Sequence, residues 1–353
     1  MPGILRNLRN SVPRAGASRL VAINTDKIIE KVLGRFGILA MFGHLHEDYV
    51  SVPSPLILTW TTFFSQPWVD VIKKNIGNCS YHCIFTNDKK KLPSATAILF
   101  HIRDLEKTLP EVRDPKQLFV FVLHESPLYT FDYLDYVPAD YFNLTMTYRH
   151  DSDIYIPYGM MKSITNRTAR EQIWNWSEVV KIANSKRKLV LQMVSNCQTK
   201  SKRELYVEQL RTYINVTQHG RCNNSSCDEK CELQEAAQHR FYLAFENSIC
   251  RDYVTEKLFK CFVQLLVPVV LEKSNYESIL PPGSFIAADD FGSPRELAEY
   301  LSYLLSNNTA YLSKTDDLLE LFPEKAVELK DEKMIAQSLP KYVNINVEDV
   351  QGH

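Results

Sequence analysis

The run at residues 241–271, FYLAFENSICRDYVTEKLFKCFVQLLVPVVL, admits few folds. It opens on a short segment, 241–246, rich in aromatic and apolar groups, which suits a buried strand. A polar turn follows through Asp252. Leu258, Cys261, Phe262 and Leu265 then recur at helical spacing, and the β-branched run 267–271 reads as a second, parallel strand. Strand, polar turn, helix and strand make one βαβ unit, the geometry in which a helix N-terminus faces a phosphate. Thr255 is placed to cap that helix, and Tyr253 and Lys257 share a face if the first turn begins early. A cation beside unpaired backbone N–H groups suits a diphosphate. From chemistry alone, an ordinary helix start, with Thr, Glu and Lys satisfying the helix end, fits the same residues.

Upstream, short apolar runs at 53–64 (with PLILTWTTFF), 81–86, 95–102 and 118–123 (LFVFVL) read as strands, as does 189–194 (LVLQMV). Residues 168–183 are compatible with a helix. Residues 200–213, with Leu205, Tyr206, Val207, Leu210 and Tyr213, predict another, with Arg203 in its first turn. A further helix opens at Ser293 as N-cap, with Pro294 first and Glu296 completing a capping box, and runs to about residue 305. Strands alternating with helices indicate α/β layering. The divisions read as a tail or stem at 1–48, a first domain at 49–165, a linker at 166–187, a second domain at 188–320 and a tail at 321–353. His124-Glu125-Ser126-Pro127 follows the most apolar strand directly. Ligands of α/β sheets gather at strand carboxyl ends, so Glu125 is placed for chemistry; a plain turn punctuated by Ser-Pro is the competing reading.

Composition narrows the partners. A formal net charge of −1 over 353 residues gives no basic excess for nucleic acid or an anionic membrane. Glycosylation sequons begin at Asn78, Asn143, Asn166, Asn175, Asn215, Asn223, Asn224 and Asn307, a density that points to a secretory lumen. The 8 cysteines fit that compartment. Cys222, Cys227 and Cys231 invite a zinc reading, but their spacing lacks the paired C-x-x-C form and disulfides are favoured. The apolar stretch at 32–42 is too short to span a membrane and Arg35 interrupts it; residues 49–69 carry prolines and hydroxyls that suit strand and loop.

FENS, DYVTEK and VPVV together resemble the donor-site signature of the α1,3-fucosyltransferases, inverting enzymes that use GDP-fucose. FNLTMTYRHDSDIYIPYG, at 142–159, resembles that family's second long motif, and the resemblance extends over roughly residues 55 to 312. Beyond it the terminal C-x-x-C of many animal members is not found. The resemblance implies two Rossmann-like domains facing a cleft, the GT-B-type glycosyltransferase architecture, and transfer of L-fucose to a GlcNAc 3-hydroxyl with inversion. It implies Glu125 as catalytic base and Arg203 and Lys257 on the donor diphosphate. Asn247, Tyr253 and Glu256 fall on the sugar and ribose, with Ser195, Asn196 and Tyr148 around the nucleotide. Asp151-Ser152-Asp153 looks like the Asp-X-Asp metal clamp of other glycosyltransferases, but in this family it belongs to a structural motif. No metal and no obligatory cofactor are therefore expected, a divalent cation serving at most as a stimulant. GDP-fucose and a GlcNAc-containing N-glycan are the expected partners. The Cys-rich segment 222–231 and C-R-D-Y-V-T-E-K are more similar to members acting on the N-glycan core than to Lewis-antigen enzymes. Family members are Golgi-luminal and held by a type II anchor, which is not evident in this sequence. The competing functions are a non-catalytic luminal glycan-binding protein of the same fold and a transferase using another nucleotide sugar.

Overall fold

The computed structural model describes residues 54–75, 83–106, 108–130, 133–163, 174–316 and 321–323. They fall into two units divided between Pro157 and Tyr158. In the first unit β1 (Leu56–Thr59) is followed by α1 (Trp68–Asn75), β2 (Ile84–Thr86), β3 (Ala97–His101), β4 (Leu118–Leu123), β5 (Leu144–Thr147) and β6 (Ile154–Tyr155). These strands form one parallel sheet in the order β2-β1-β3-β4-β5-β6. The wholly apolar character of β4 follows from burial on both faces. Phe119 and Leu123 point into one core with Ile98 and Phe100, while Val120 and Val122 point into the other with Leu99 and Met146. The apolar run at 53–64 is a strand only over Leu56–Thr59. Asp104 ends it: its carboxylate accepts from the Thr62 hydroxyl at 2.8 Å and the Ser65 amide at 2.7 Å, holding a reversal in which Phe64 and Ser65 take φ of 46° and 64°.

The second unit contains β7 (Met161–Ser163), α2 (Trp176–Ser185), β8 (Lys188–Met193), α3 (Arg203–Leu210), β9 (Val216–His219), α4 (Glu229–Ala236) and β10 (His239–Leu243). α5 (Glu256–Val263), β11 (Val267–Val270), β12 (Ile286–Ala287), α6 (Pro294–Ser306), α7 (Asn308–Asp316) and β13 (Leu321–Pro323) complete it. Its main sheet is parallel, in the order β12-β11-β10-β8-β9, and β7 pairs antiparallel with β13 apart from it. Phe241 and Leu243 pack into one core and Tyr242 and Ala244 into the other, so this sheet too is covered on both faces. The pairing of Phe241 with Val267 makes β10, α5 and β11 the βαβ unit expected of residues 241–271.

Several boundaries differ from expectation. α5 begins at Glu256, so Tyr253 precedes the helix and does not share a helical face with Lys257. α3 is shorter than 200–213: Lys202, at φ 57°, is the left-handed residue before it, and a turn follows Leu210. α2 starts after Asn175, whose side chain accepts from the Ser177 amide at 2.9 Å. The linker residues 164–173 lie outside the described residues, as do 1–53 and most of 321–353. At α6 Ser293 caps as expected, but Glu296 reaches the amide of Gly292, one residue earlier than a capping box requires. Among the described residues no helix is long and apolar enough to cross a membrane.

Numbered from its own first strand, the second sheet runs 2-1-3-4-5 and the first 2-1-3-4-5-6, the doubly wound order in which the chain reverses direction of travel between strands 1 and 3. Ligands of such sheets bind at the carboxyl ends of the strands beside that reversal. In the second unit the reversal lies between β8 and β10; in the first it lies between β1 and β3.

Candidate active site

In the second unit, the loop after β8 carries Ser195, which is exposed, and Asn196. It is pinned to the loop after β9 by the Cys197–Cys222 disulfide and by the Val194 amide, which donates to His219 O at 2.9 Å. Gly220, at φ 109°, is needed at this junction: a Cβ there would lie 2.1 Å from Val194 O. Cys227 and Cys231 close a second disulfide. His219 brings a ring nitrogen within 4.8 Å of both these sulfurs. As disulfide sulfurs they are not thiolate ligands for zinc, and the favoured disulfide reading of these cysteines holds.

Arg203, the first residue of α3, crosses the reversal. Its guanidinium is buried and donates to Phe245 O at 2.6 Å and Asn196 O at 3.2 Å, tying the loop after β8 to the loop after β10. Ser201 adds two stitches between the same loops, its amide to Asn247 O at 3.0 Å and its hydroxyl to Glu246 O at 2.7 Å. The side chain expected to reach a diphosphate is thus engaged with backbone acceptors first.

The loop after β10 holds the residue that sequence reasoning missed. Glu246 is buried at 4% exposure, and its carboxylate accepts from the Thr255 amide at 2.8 Å, from the Thr255 hydroxyl at 2.8 and 2.9 Å, and from Lys257 Nζ at 3.2 Å. Thr255 stands at the N-cap of α5, yet its hydroxyl serves Glu246 and makes no cap bond of its own. An internal carboxylate therefore takes one amide, that of Thr255, at the helix end that the sequence offered to a phosphate. The signal for it was the acidic residue inside FENS, at the end of a buried strand where an unpaired carboxylate is costly.

Lys257 Nζ also donates to the Thr255 hydroxyl at 2.8 Å and to Glu256 at 3.1 Å. Burial opposes the charge, but Glu246 and Glu256 outweigh it and hold the ammonium above the usual lysine range. Burial pushes the Glu246 carboxyl up, against the pull of Lys257. Burial has the same sense at Glu256, where Lys257 and Lys260 outweigh it and lower the pKa. Tyr253 is buried and meets Tyr158 edge to face at 6.1 Å between ring centroids. Asn247 lies half-buried beside Glu246. The structure thus brings Arg203, Asn247, Tyr253, Glu256 and Lys257 to the carboxyl edge of one sheet, with Ser195 and Asn196 on the adjoining loop.

Glu125 and Tyr148 lie on the other unit. Glu125 follows β4; its carboxylate accepts from Arg103 Nη1 at 3.2 Å and from the Ser126 amide at 3.2 Å, and its side chain keeps 14% exposure. Arg103 follows β3, beside the reversal of the first sheet. His124 bonds Ile156 O at 3.0 Å, which ties the end of β4 to the residue after β6. Tyr148, after β5, is buried. In the Asp-X-Asp look-alike, Asp151 pairs with Arg149 at 2.5 Å and Asp153 accepts from the Thr145 amide and hydroxyl at 2.9 and 3.0 Å. Both carboxylates are committed to the protein.

The sequence profile of the glycosyltransferase family 10 (fucosyltransferase) C-terminal domain matches residues 183–316, and that of the fucosyltransferase N-terminal domain matches residues 53–159. The chain is 36% identical over 264 residues to alpha-(1,3)-fucosyltransferase fut-1 of Caenorhabditis elegans, a match covering 73% of this chain and 57% of that protein. It is 35% identical over 297 residues to alpha-(1,3)-fucosyltransferase C of Drosophila melanogaster, covering 76% and 69%. To 4-galactosyl-N-acetylglucosaminide 3-alpha-L-fucosyltransferase FUT6 of Homo sapiens it is 36% identical over 284 residues, covering 77% and 76%. It therefore spans little more than half of the nematode relative's length and about three quarters of the human one's. A crystal structure of an α1,3-fucosyltransferase with GDP shares the fold, with a TM-score of 0.51 at 16% identity over 85% of this chain and 92% of that one.

Proposed function

The chain belongs to glycosyltransferase family 10, the fucosyltransferases, and on that footing we propose that it transfers L-fucose from GDP-fucose to the 3-hydroxyl of a GlcNAc residue, with inversion. One observation carries the reading. At the strand reversal of the second sheet, the Lys257 ammonium is held cationic within electrostatic range of Arg203, on the loop-and-helix segment that carries the family motif. Such a pair suits the charge that gathers on a departing diphosphate.

In the proposed step the acceptor 3-oxygen bonds to the anomeric carbon of fucose as the bond from that carbon to GDP breaks. The electron pair leaves on the diphosphate, which Lys257 and Arg203 stabilise. Glu125 takes the hydroxyl proton, and its ion pair with Arg103 holds the carboxylate in place for that task. Asn247, Tyr253 and Glu256 serve the sugar and ribose, and Ser195, Asn196 and Tyr148 the nucleotide.

Two measurements test this. GDP should compete for binding where UDP does not; equal competition moves the chain to another nucleotide sugar, and binding of neither returns it to a non-catalytic glycan-binding role. Glu125→Gln should lose transfer while still binding GDP, and near-normal transfer sinks the base assignment. Offering a core glycopeptide and N-acetyllactosamine as parallel acceptors assigns the GlcNAc that is used.

A further inference from the structure

Resting on the donor-site reading above, we infer that Glu246 is a positioning residue: it fixes Lys257 at the strand reversal and takes the Thr255 amide at the α5 N-terminus, so that the Lys257 ammonium is the donor held ready for the anion. Among the described residues, every group that hydrogen-bonds the Glu246 carboxylate is a donor to it: the Thr255 amide, the Thr255 hydroxyl and the Lys257 ammonium. A carboxylate, with acceptors only, satisfies all three, whereas an amide of equal size presents an N–H₂ to groups that are themselves donors. Burial at 4% leaves no water to repair a mismatch.

The arrangement has two consequences. The Thr255 amide is the backbone N–H at the helix start, and Glu246 takes it, which removes one of the free donors that would otherwise draw an anion to that end. The second concerns Lys257. Its ammonium is faced by Glu246 from the loop after β10, by Glu256 from its own helix, by Arg203 from α3 and by Tyr242 from β10. Glu246 and Glu256 give it charge and position against burial and against the repulsion of Arg203. Of those two carboxylates Glu246 is the more deeply buried, with 5% side-chain exposure against 15% for Glu256. Glu246 is accordingly the fixed anchor, and Glu256 the partner with more access to an incoming ligand. Glu246 touches no substrate in this scheme and acts through Lys257.

The test is calorimetric titration of GDP into the full chain from pH 7 to 9.5, for the natural protein, Glu246→Gln and Glu246→Asp. The natural protein should bind with an affinity set by GDP's own titration alone. Glu246→Gln should bind about tenfold more weakly, the scale of one charge-assisted hydrogen bond, and should show an added loss of affinity as pH rises, because Lys257 has lost a counter-charge. Glu246→Asp keeps the charge and should remove the added alkaline loss, though its shorter reach weakens binding several-fold. A Glu246→Gln protein that binds GDP as tightly as the natural one, or more weakly with the natural pH profile, overturns the inference and leaves the donor-site reading standing. Absence of GDP binding by the natural protein overturns that reading instead. If Glu246→Gln does not fold, Glu246→Asp decides alone: unchanged affinity, or a new alkaline loss, overturns the inference.

Discussion

The two edges of the second sheet each bury a lysine, and the two are handled in opposite ways. At the carboxyl edge, Lys257 sits between Glu246 and Glu256 and keeps 16% of its side chain exposed. At the amino edge, Lys186 is wholly buried with no carboxylate among the described residues on its ammonium, which donates to the backbone at Ala236 O at 2.7 Å and Gln264 O at 3.0 Å, with the Cys261 thiol nearby. Those carbonyls end α4 and α5, where helix termini leave acceptors unsatisfied and carry partial negative charge. Burial pulls the Lys186 pKa down to about 7, while carboxylates hold Lys257 above the lysine range. Counter-charge and a path to solvent suit one lysine to an anionic ligand. The other closes two helix ends and finishes the core.

The strongest test of that contrast is to truncate both cations. Lys257→Met should lower kcat/KM for transfer by roughly 10²-fold or more, the scale of losing one preorganised donor from developing charge, and should weaken GDP binding. Lys186→Met should leave both constants near the natural values at temperatures well below its unfolding transition. Equal losses in the two variants would end the distinction between a binding edge and a structural edge.

The next test asks what holds the carboxyl edge in shape. Cys197 and Cys222 are separated by 25 residues and join the loops after β8 and β9. Replacing both by serine should cost on the order of 3 kcal/mol and lower the melting temperature by roughly 10 °C, with the larger relative loss in GDP affinity. A variant that melts lower but binds GDP normally would show that Arg203 and Ser201 alone keep these loops in place.

Much of this could be read before any coordinates, and the limit has a physical form. Apolar runs report burial on both faces, so β4, β8, β10 and β11 were legible to within three residues at either end. Hydrogen-bond partners of polar groups at strand ends were not. Thr255 is at the N-cap as its residue type suggests, yet its hydroxyl turns to Glu246. Arg203 opens its helix as expected, yet it spends donors on Phe245 O and Asn196 O, which are distant in sequence. The residues 53–64 looked like one strand because Trp60, Phe63 and Phe64 are strand formers. Asp104, some 40 residues downstream, forces the reversal there. In each case the deciding partner comes from another element, which periodicity does not report.

The smallest expected effect isolates the amino edge. An unfolded lysine keeps its proton up to its ordinary pKa of 10.5, while folded Lys186 gives it up above about 7. Between those values the unfolded chain binds more protons, so this residue makes stability rise with pH across the window, fall as pH drops toward 7, and level off below. The slope is at most about 1.4 kcal/mol per pH unit. The two carbonyl bonds favour the ammonium and should make it shallower. Comparing melting temperatures of the natural protein and Lys186→Met from pH 7 to 9 cancels the other groups that titrate there. The natural protein should gain on the variant by a few degrees over that range. A constant difference would mean that Lys186 stays charged throughout, its helix-end carbonyls matching for an ammonium what two carboxylates do for Lys257.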